Sequence, residues 1–285
     1  MARTFNDRLR DAQGRSDSAL CVGLDPRGDR LPSACGGEAR PFFAFCRQVV
    51  DATAELVCAF KPQYACFAAT GAFDELRTLI AYIHENHPGV PVILDAKRGD
   101  IGDVSALYAK EVFEVLDADA ATVNPYLGWD AVEPFTRVPG RGAIVLCHTS
   151  NPGSPWLQEF PEAAPVYLRV AERVAKEDTG NLALVVGATF PGQLAAVRAT
   201  APDVPFLVPG IGAQSGDLEA VFANGLAADG TGLVVSASRS VIFAGEGDRW
   251  TDGVTAAATT LRDAMRRARD ASFASRRDSG EAPAR

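Results

Sequence analysis

The stretch Pro91-Val92-Ile93-Leu94-Asp95-Ala96-Lys97-Arg98-Gly99-Asp100 passes from a short apolar segment directly into charged residues. Its apolar part is too short for a buried helix and has the length of a buried strand. Asp95 and Lys97 lie two residues apart, so an extended chain directs both side chains to the same face. The stretch therefore predicts a buried strand that ends in a cluster of charges.

Seven further runs rich in Val, Ile and Leu have a similar length, and amphipathic helical patterns separate them. With the first run, the predicted strands are Ala19–Asp25, Val57–Gln63, Pro91–Lys97, Ala120–Pro125, Gly142–Thr149, Leu182–Ala188, Pro205–Gly212 and Gly232–Arg239. The predicted helices are Arg40–Leu56, Asp74–Asn86, Ser105–Leu116, Ala164–Glu177, Gln193–Thr200 and Leu218–Asn224. This alternation predicts parallel strands with crossover helices, and eight such units predict an α/β fold, a single (β/α)8 TIM barrel.

Length and composition agree with one barrel domain. The 285 residues are 47% apolar, and the predicted catalytic domain spans residues 1–270, with residues 271–285 expected to form a disordered polar tail. A doubly wound open sheet is less consistent with the sequence, because no Gly-x-Gly-x-x-Gly follows Val22-Gly23-Leu24-Asp25. The net charge of −8 argues against a broad surface for nucleic acid or anionic membranes.

Location and metal content are also constrained. The first residues lack an export signal, and no apolar run approaches ~20 residues, so we expect a soluble cytoplasmic protein. The six cysteines lack metal-type spacing and are expected to be reduced packing residues. The histidines His84, His87 and His148 form no ligand cluster, which predicts no metal site; His84 and His87 are expected to be solvated residues at a helix end.

Polar residues gather where the predicted strands end, which is where barrels of this type build active sites. They are Asp25, Lys61, Asp95, Lys97, Asn124, Ser150, Gln214 and Arg239. Lys61 and Lys97 are two of only four lysines in the chain. An isolated Asp95–Lys97 pair is equally consistent with a structural salt bridge. Adding Lys61, Asp25 and Asp100 favours a functional site, because several partly buried charges are costly.

Two segments near the end of the barrel favour phosphate binding. The glycine-rich turn Pro209–Asp217 follows the seventh predicted strand, and Ser236–Ser240, which contains Arg239, ends the eighth. Barrels often bind phosphate after these two strands, through backbone amides and an arginine fork. A phosphorylated metabolite is therefore the expected ligand class.

Several segments in chain order resemble the orotidine 5′-phosphate decarboxylase family, in its longer bacterial and archaeal form (type 2). They are Leu24-Asp25-Pro26, Phe60-Lys61-Pro62-Gln63, Leu94-Asp95-Ala96-Lys97-Arg98-Gly99-Asp100-Ile101-Gly102, Asn124-Pro125-Tyr126-Leu127-Gly128, Thr149-Ser150-Asn151-Pro152-Gly153, Val186-Gly187-Ala188-Thr189 and Pro209-Gly210-Ile211-Gly212-Ala213-Gln214. The matches cover nearly all of the chain before the tail.

The resemblance implies a carboxy-lyase that converts orotidine 5′-phosphate to UMP in de novo pyrimidine biosynthesis, without a metal or organic cofactor. It implies that Lys97 stabilises a carbanion at C6 and protonates it, within a network of four residues. The residues that it implies are, for catalysis, Lys61, Asp95, Lys97 and Asp100, and for substrate binding, Asp25, Ile101, Asn124, Ser150, Gln214 and Arg239. It further implies a homodimer in which Asp100 and Ile101 reach into the partner's site.

Other functions remain open from the sequence. One alternative is a related barrel decarboxylase that acts on a sugar phosphate with magnesium, and another is an aldolase that forms a Schiff base on Lys97 or Lys61. A third is a non-catalytic sensor of phosphorylated ligands. The family commonly has a threonine where this chain has Val104, so a hydroxyl contact to the neighbouring site depends on whether Ser105 replaces it.

Overall fold

The structure, a computed structural model, describes residues 3–211 and 217–278 and is a (β/α)8 barrel. All eight predicted strands are confirmed, most with slightly shorter ends. They are β1 (Leu20–Leu24), β2 (Ala59–Pro62), β3 (Ile93–Arg98), β4 (Ala120–Val123), β5 (Gly142–His148), β6 (Leu182–Val186), β7 (Phe206–Pro209) and β8 (Leu233–Ala237). Every neighbouring pair of these strands is parallel, as crossover helices require.

Helices lie between and around the strands. The longer ones are α1 (Phe5–Ser16), α2 (Pro41–Thr53), α3 (Phe73–Asn86), α4 (Gly102–Lys110), α5 (Val166–Glu177), α6 (Pro191–Thr200), α7 (Leu218–Gly225) and α8 (Trp250–Asp278). A π-helical turn, Glu111–Val115, continues α4. Short helices occupy Ser33–Gly36, Tyr64–Ala68, Glu133–Thr136, Pro155–Gln158 and Arg239–Ile242. None of the helices in the described ranges has the length and hydropathy that a membrane crossing requires.

The carboxyl-terminal segment differs in part from the expected tail. Helix α8 continues to Asp278, so the first part of the segment 271–285 is helical. Ser272 is buried there, and its hydroxyl donates to the carbonyl of Phe222 in α7 at 3.4 Å. This packing extends the helix beyond residue 270, and residues 279–285 lie outside the described part of the chain.

The barrel closes between β2 and β3. Strand order runs from β2 through β1 and β8 around to β3, with parallel ladders between the other neighbours. In the described ranges, β2 and β3 meet through two isolated bridges, Phe60 with Val92 and Gln63 with Asp95. We call this boundary the seam; it lies between the strands that carry Lys61 and Asp95.

Alternation along the strands decides which side chains face the barrel interior. The strand residues that fill the interior are Cys21, Ala59, Ile93, Ala120, Ile144, Ala183, Val185, Leu207 and Val234. Phe5 and Leu9 of α1 join them and plug the amino-terminal end. Because side chains two residues apart share a face, Lys61 and Asp95 point to the same interior as Ala59 and Ile93, one layer nearer the open end.

The six cysteines confirm the expectation from the sequence. All are free and buried, and burial raises the pKa of the Cys21 thiol to about 12. Thiols of this kind are poor nucleophiles at neutral pH, so packing explains them.

A second charged cluster ties the amino-terminal face of the barrel together. Asp119, just before β4, is buried and accepts hydrogen bonds from the Val92 amide at 2.8 Å, from Arg8 Nη2 at 2.6 Å and from His84 Nε2 at 2.9 Å. His84 is thus partly buried and paired, whereas the sequence analysis expected a solvated residue. Its hydrogen bond with Asp119 raises the pKa of His84 above the ordinary 6.5.

The raised pKa predicts a pH-dependent contribution to stability. Protonated His84 stabilises the fold fully below pH 6.5, the ordinary value, and this contribution is lost as the pH rises through the higher folded-state pKa. We expect His84→Gln to destabilise the protein by about 1 kcal/mol at pH 6 and by less at pH 9.

Urea unfolding at the two pH values measures this difference. His87→Gln is the matched control, because His87 lies at the end of the same helix and contacts the more exposed Asp51. If the free energy of unfolding of His84→Gln differed from that of wild type by the same amount at both pH values, the assignment would be contradicted.

Candidate active site

Asp95 lies between two lysines at the open end of the barrel. Its Oδ2 is 2.9 Å from Lys61 Nζ, and its Oδ1 is 2.6 Å from Lys97 Nζ. Lys61 is buried with Asp95, whereas about half of the Lys97 side chain, 51%, remains exposed. One carboxylate therefore holds a buried ammonium across the seam and an accessible ammonium that faces the solvent.

The pairing fixes the charge states. Burial alone would lower the pKa of Lys61, but the Asp95 and Asp25 carboxylates outweigh burial and raise it above its ordinary value. Burial would likewise raise the pKa of Asp95, but Lys61 and Lys97 hold it well below its ordinary range. Lys61 and Asp95 are therefore both ionised at neutral pH.

Two residues that the sequence analysis did not assign to the site complete the shell around Asp95. The Thr122 hydroxyl donates to Asp95 Oδ1 at 2.9 Å, and the Gln63 amide donates to Oδ2 at 3.1 Å. Gln63 belongs to the segment Phe60-Lys61-Pro62-Gln63, which carries part of the family resemblance. Thr122 lies two residues after Ala120 on the inward face of β4, so the alternation of side chains along the strand could have identified it.

Lys97 has a left-handed backbone conformation, with φ of 47°, which is unusual for a residue other than glycine. Its amide donates to the Thr122 hydroxyl oxygen at 2.9 Å. Next to it, the Arg98 guanidinium forms a two-pronged ion pair with Glu111 and lies over the rings of Tyr64 and Tyr108. These contacts on both sides hold the strained turn that brings the Lys97 ammonium back onto Asp95.

A cavity of about 410 Å³ opens beside the charged cluster. Its charged wall consists of Lys61, Asp95 and Lys97, and its other lining residues are Thr122, Leu146, Thr149, Ser150, Asn151, Gln158, Val185, Leu207 and Pro209. Ser150 is thus one of the residues that line the cavity. Gly187, just after β6, permits this approach, because a Cβ there would lie 2.8 Å from the Ser150 amide nitrogen.

Asp25 lies at the end of β1 with one oxygen already occupied. Its Oδ2 accepts from the Ser238 hydroxyl at 2.6 Å. Its Oδ1 is buried and has no hydrogen-bond partner within the ranges that the structure describes. A buried carboxylate oxygen without a partner is an acceptor for a hydroxyl of a bound ligand.

Asp100 and Ile101 lie apart from the lysines of their own chain. Asp100 Oδ1 accepts from the Ile101 amide at 2.8 Å and forms no recorded hydrogen bond or ion pair with Lys61, Asp95 or Lys97. The Ile101 side chain is 59% exposed. In a single chain, the side chain of Ile101 therefore faces the solvent.

The remaining predicted residues lie on the rim or outside the described ranges. Asn124 is exposed, and its Oδ1 accepts from the Tyr126 amide at 3.0 Å, so it caps a turn and does not line the cavity. Arg239 is exposed at the start of the short helix after β8, and within residues 3–211 and 217–278 it has no recorded ion pair. Gln214 lies outside the described residues.

Ser105 does not supply the hydroxyl contact that the threonine common in the family at the position of Val104 could make. Ser105 is buried, and its hydroxyl donates to the Ala131 carbonyl at 2.7 Å. This hydroxyl serves the packing of α4 and is not directed to a neighbouring chain. Among the described residues, no group of three or more His, Cys, Asp or Glu side chains could hold a metal ion.

Comparisons with known proteins agree with this geometry. The family model "Orotidine 5'-phosphate decarboxylase / HUMPS family" matches residues 18–271. An orotidine 5′-phosphate decarboxylase from Dechloromonas aromatica is 51% identical over 265 residues, covering 92% of this chain and 98% of that protein. The enzyme of that name from Cupriavidus necator is 52% identical over 244 residues, covering 85% of this chain and 90% of that protein.

A solved structure supports the same relationship. The OMP decarboxylase of Leishmania donovani superimposes with a TM-score of 0.82 and 39% identity, covering 94% of this chain and 99% of that one. The match to the family model spans the barrel from β1 to α8 and includes the strands that carry the charged cluster. The chain belongs to the orotidine 5′-phosphate decarboxylase family.

Proposed function

We propose that this chain decarboxylates orotidine 5′-phosphate to UMP in de novo pyrimidine biosynthesis. The observation that carries the proposal is the Lys61–Asp95–Lys97 cluster on the wall of a cavity of about 410 Å³. The names of the relatives give the substrate, and the cluster supplies a chemistry suited to it. The chain is thus assigned as a carboxy-lyase.

The reaction needs a positive charge close to the carbon that loses carbon dioxide. The C6–carboxylate bond breaks, carbon dioxide leaves, and the bonding electron pair stays on C6, where the ring delocalises it poorly. The Lys97 ammonium stabilises this charge as it develops and then transfers a proton to C6. Asp95 holds Lys97 in place, and its charge repels the substrate carboxylate until carbon dioxide leaves. No step of this reaction requires a metal or an organic cofactor.

The other predicted residues bind the substrate. Asp25, through its free Oδ1, and Lys61 hold the ribose hydroxyls. Ser150 contacts the edge of the pyrimidine, and its place in the cavity supports this role. Asn124 contributes from the rim. Gln214 and Arg239 bind the phosphate, and the exposed guanidinium at the end of β8 supports the assignment of Arg239.

We further propose a homodimer with shared sites. Large apolar residues are exposed on α4, on the turn before it and on the turn after β4: Ile101, Leu107, Tyr126 and Leu127. Exposed apolar side chains of this size are typical of a surface that another chain covers. Asp100 lies next to Ile101 and forms no hydrogen bond or ion pair with Lys61 or Lys97 of its own chain, which supports a role in completing the partner's Lys61–Asp95–Lys97 cluster. No nucleic-acid or membrane partner is proposed.

A cytoplasmic location completes the proposal. The six free, buried thiols fit a reducing compartment, where disulfides rarely form.

The aldolase alternative is poorly supported. A Schiff-base lysine reacts as the neutral amine, which requires a lowered pKa. Asp95 and Asp25 raise the pKa of Lys61, and Asp95 pairs directly with Lys97. Lys61 is therefore held in the protonated form, and the Lys97 ammonium is occupied by Asp95, an arrangement that does not suit nucleophilic attack.

The direct test follows the absorbance of orotidine 5′-phosphate with purified protein in excess chelator. We expect the substrate to be consumed and UMP to form. Turnover that appears only after magnesium and a sugar phosphate are supplied would favour the related decarboxylase instead, and binding without turnover would favour the sensor.

Two substitutions test the assigned roles in the same assay. Lys97→Ala removes proton donation, which contributes about 10²–10⁴-fold to the rate, and charge stabilisation, which contributes about 10²–10³-fold. We therefore expect kcat to fall by roughly 10⁵-fold. Arg239→Ala should raise KM by about 10- to 100-fold with a smaller change in kcat, because it removes a charged contact to a part of the substrate that does not react. Equal, modest effects from both variants would contradict the assignment.

Mixed dimers test the shared site. When Asp100→Ala and Lys97→Ala proteins exchange subunits at random, about half of the dimers are hybrids, and each hybrid has one intact site. We expect the mixture to recover about a quarter of wild-type activity. A mixture no more active than its parents, with exchange confirmed by mass spectrometry, would exclude a shared site.

A further inference from the structure

His148 is a buried titratable residue that the proposed mechanism does not use. It is the last residue of β5, and its side chain is fully buried. The imidazole lies edge-on to the rings of Tyr167 and Phe190, with centroid distances of 5.1 and 4.9 Å. It immediately precedes Thr149 and Ser150, which line the cavity.

The contacts of the ring assign its tautomer. His148 Nε2 is 2.9 Å from Glu159 Oε1, and an ionised carboxylate only accepts hydrogen bonds, so Nε2 donates. Nδ1 is buried and has no hydrogen-bond partner in the part of the chain that the structure describes. Among the described residues, the one directed polar interaction of this ring is its bond to Glu159.

Glu159 lies at the far end of the loop that begins after His148. We call residues 149–159 the β5 loop. The Glu159 carboxylate also accepts from the side-chain amide of Gln193 in α6, at 3.1 Å. One residue further in, Gln158 accepts from the Thr149 amide at 2.8 Å and donates to its hydroxyl at 2.9 Å. Two adjacent residue pairs thus join the two ends of the loop.

These pairs determine which loop residues face the substrate. Ser150, Asn151 and Gln158 all line the cavity, and all lie between or beside the paired ends. Farther from these ends, the side chain of Trp156 is largely exposed. The position of the cavity-facing residues therefore depends on the paired base of the loop.

We infer that His148 is a positioning residue whose bond to Glu159 fixes the β5 loop so that Ser150 and Gln158 face the substrate. His148 does not touch the substrate and acts through the loop. This inference rests on the proposed function, because it assigns the effect to binding of orotidine 5′-phosphate. A ring that only filled space between Tyr167 and Phe190 would not need the donor atom.

Two variants separate these roles. His148→Phe keeps an aromatic ring between the neighbouring rings and removes the donor, whereas Glu159→Ala removes the acceptor from a partly exposed position. We expect each to raise KM for orotidine 5′-phosphate about tenfold with little change in kcat, the loss expected for one charged hydrogen bond that orients a binding loop. The double variant should be no worse than either single variant, because both remove the same bond.

Matched controls retain the bond. Glu159→Gln keeps an acceptor oxygen and should rescue most of the loss. Gln193→Leu removes the second donor to Glu159 but leaves His148 in place, so its KM should stay close to that of wild type.

Hydrogen–deuterium exchange of peptides that cover the β5 loop gives a readout besides activity. We expect faster exchange there in His148→Phe and Glu159→Ala, and unchanged exchange in peptides from β1 and β8. Wild-type KM or wild-type exchange in the loop of Glu159→Ala would overturn the inference, even if His148→Phe fails to fold. Inactive wild-type protein would instead overturn the proposed function. The exchange data would still decide whether the bond between His148 and Glu159 fixes the β5 loop.

Discussion

The arrangement of Asp95 between two ammonium groups is the constraint on which the rest of the site depends. Asp95 has its oxygens filled by Lys61, Lys97, Thr122 and Gln63. Such a carboxylate stays ionised, and it keeps the buried lysine protonated and the exposed lysine in place. Asp95, held by Lys61, Thr122 and Gln63, thus defines one orientation for the exposed ammonium of Lys97.

The cluster requires a particular backbone. Its residues come from three consecutive strands, and each faces inward because the side chains of a strand alternate. Lys97 is the exception, since its left-handed conformation turns the chain at the very position where the ammonium must return to Asp95. The ion pair of Arg98 with Glu111, outside the cavity, is part of the same requirement.

Much of the barrel and of the charged cluster could be predicted from the sequence. Short apolar runs ending in polar residues define β1 to β8, and the two-residue spacing of Asp95 and Lys97 places both at one end of β3. Thr122 was missed because it lies in an apolar run, where only its alternation with the inward-facing Ala120 distinguishes it. The pairing of His84 with Asp119 was missed because the two residues are brought together only by the packing of α3 against the base of β4.

The proposed role of Asp100 in a partner's site comes only from the family resemblance. Nothing in the spacing of Lys97 and Asp100 distinguishes a residue that completes its own site from one that completes a neighbour's. The structure adds the exposed apolar surface around Ile101 and Leu107, a property that depends on the tertiary fold. The failure of Ser105 to replace the threonine is likewise a matter of packing, because its hydroxyl faces Ala131.

The seam between β2 and β3 gives the charged cluster a second consequence. These strands share two isolated backbone bridges in the described ranges, and the side chains of Lys61 and Gln63 cross the same gap to Asp95. The groups that would act on the substrate are therefore also cross-links that hold the barrel shut. A designer who wished to give this scaffold a different chemistry could not simply exchange Asp95, because the replacement would also have to join the two edges of the sheet.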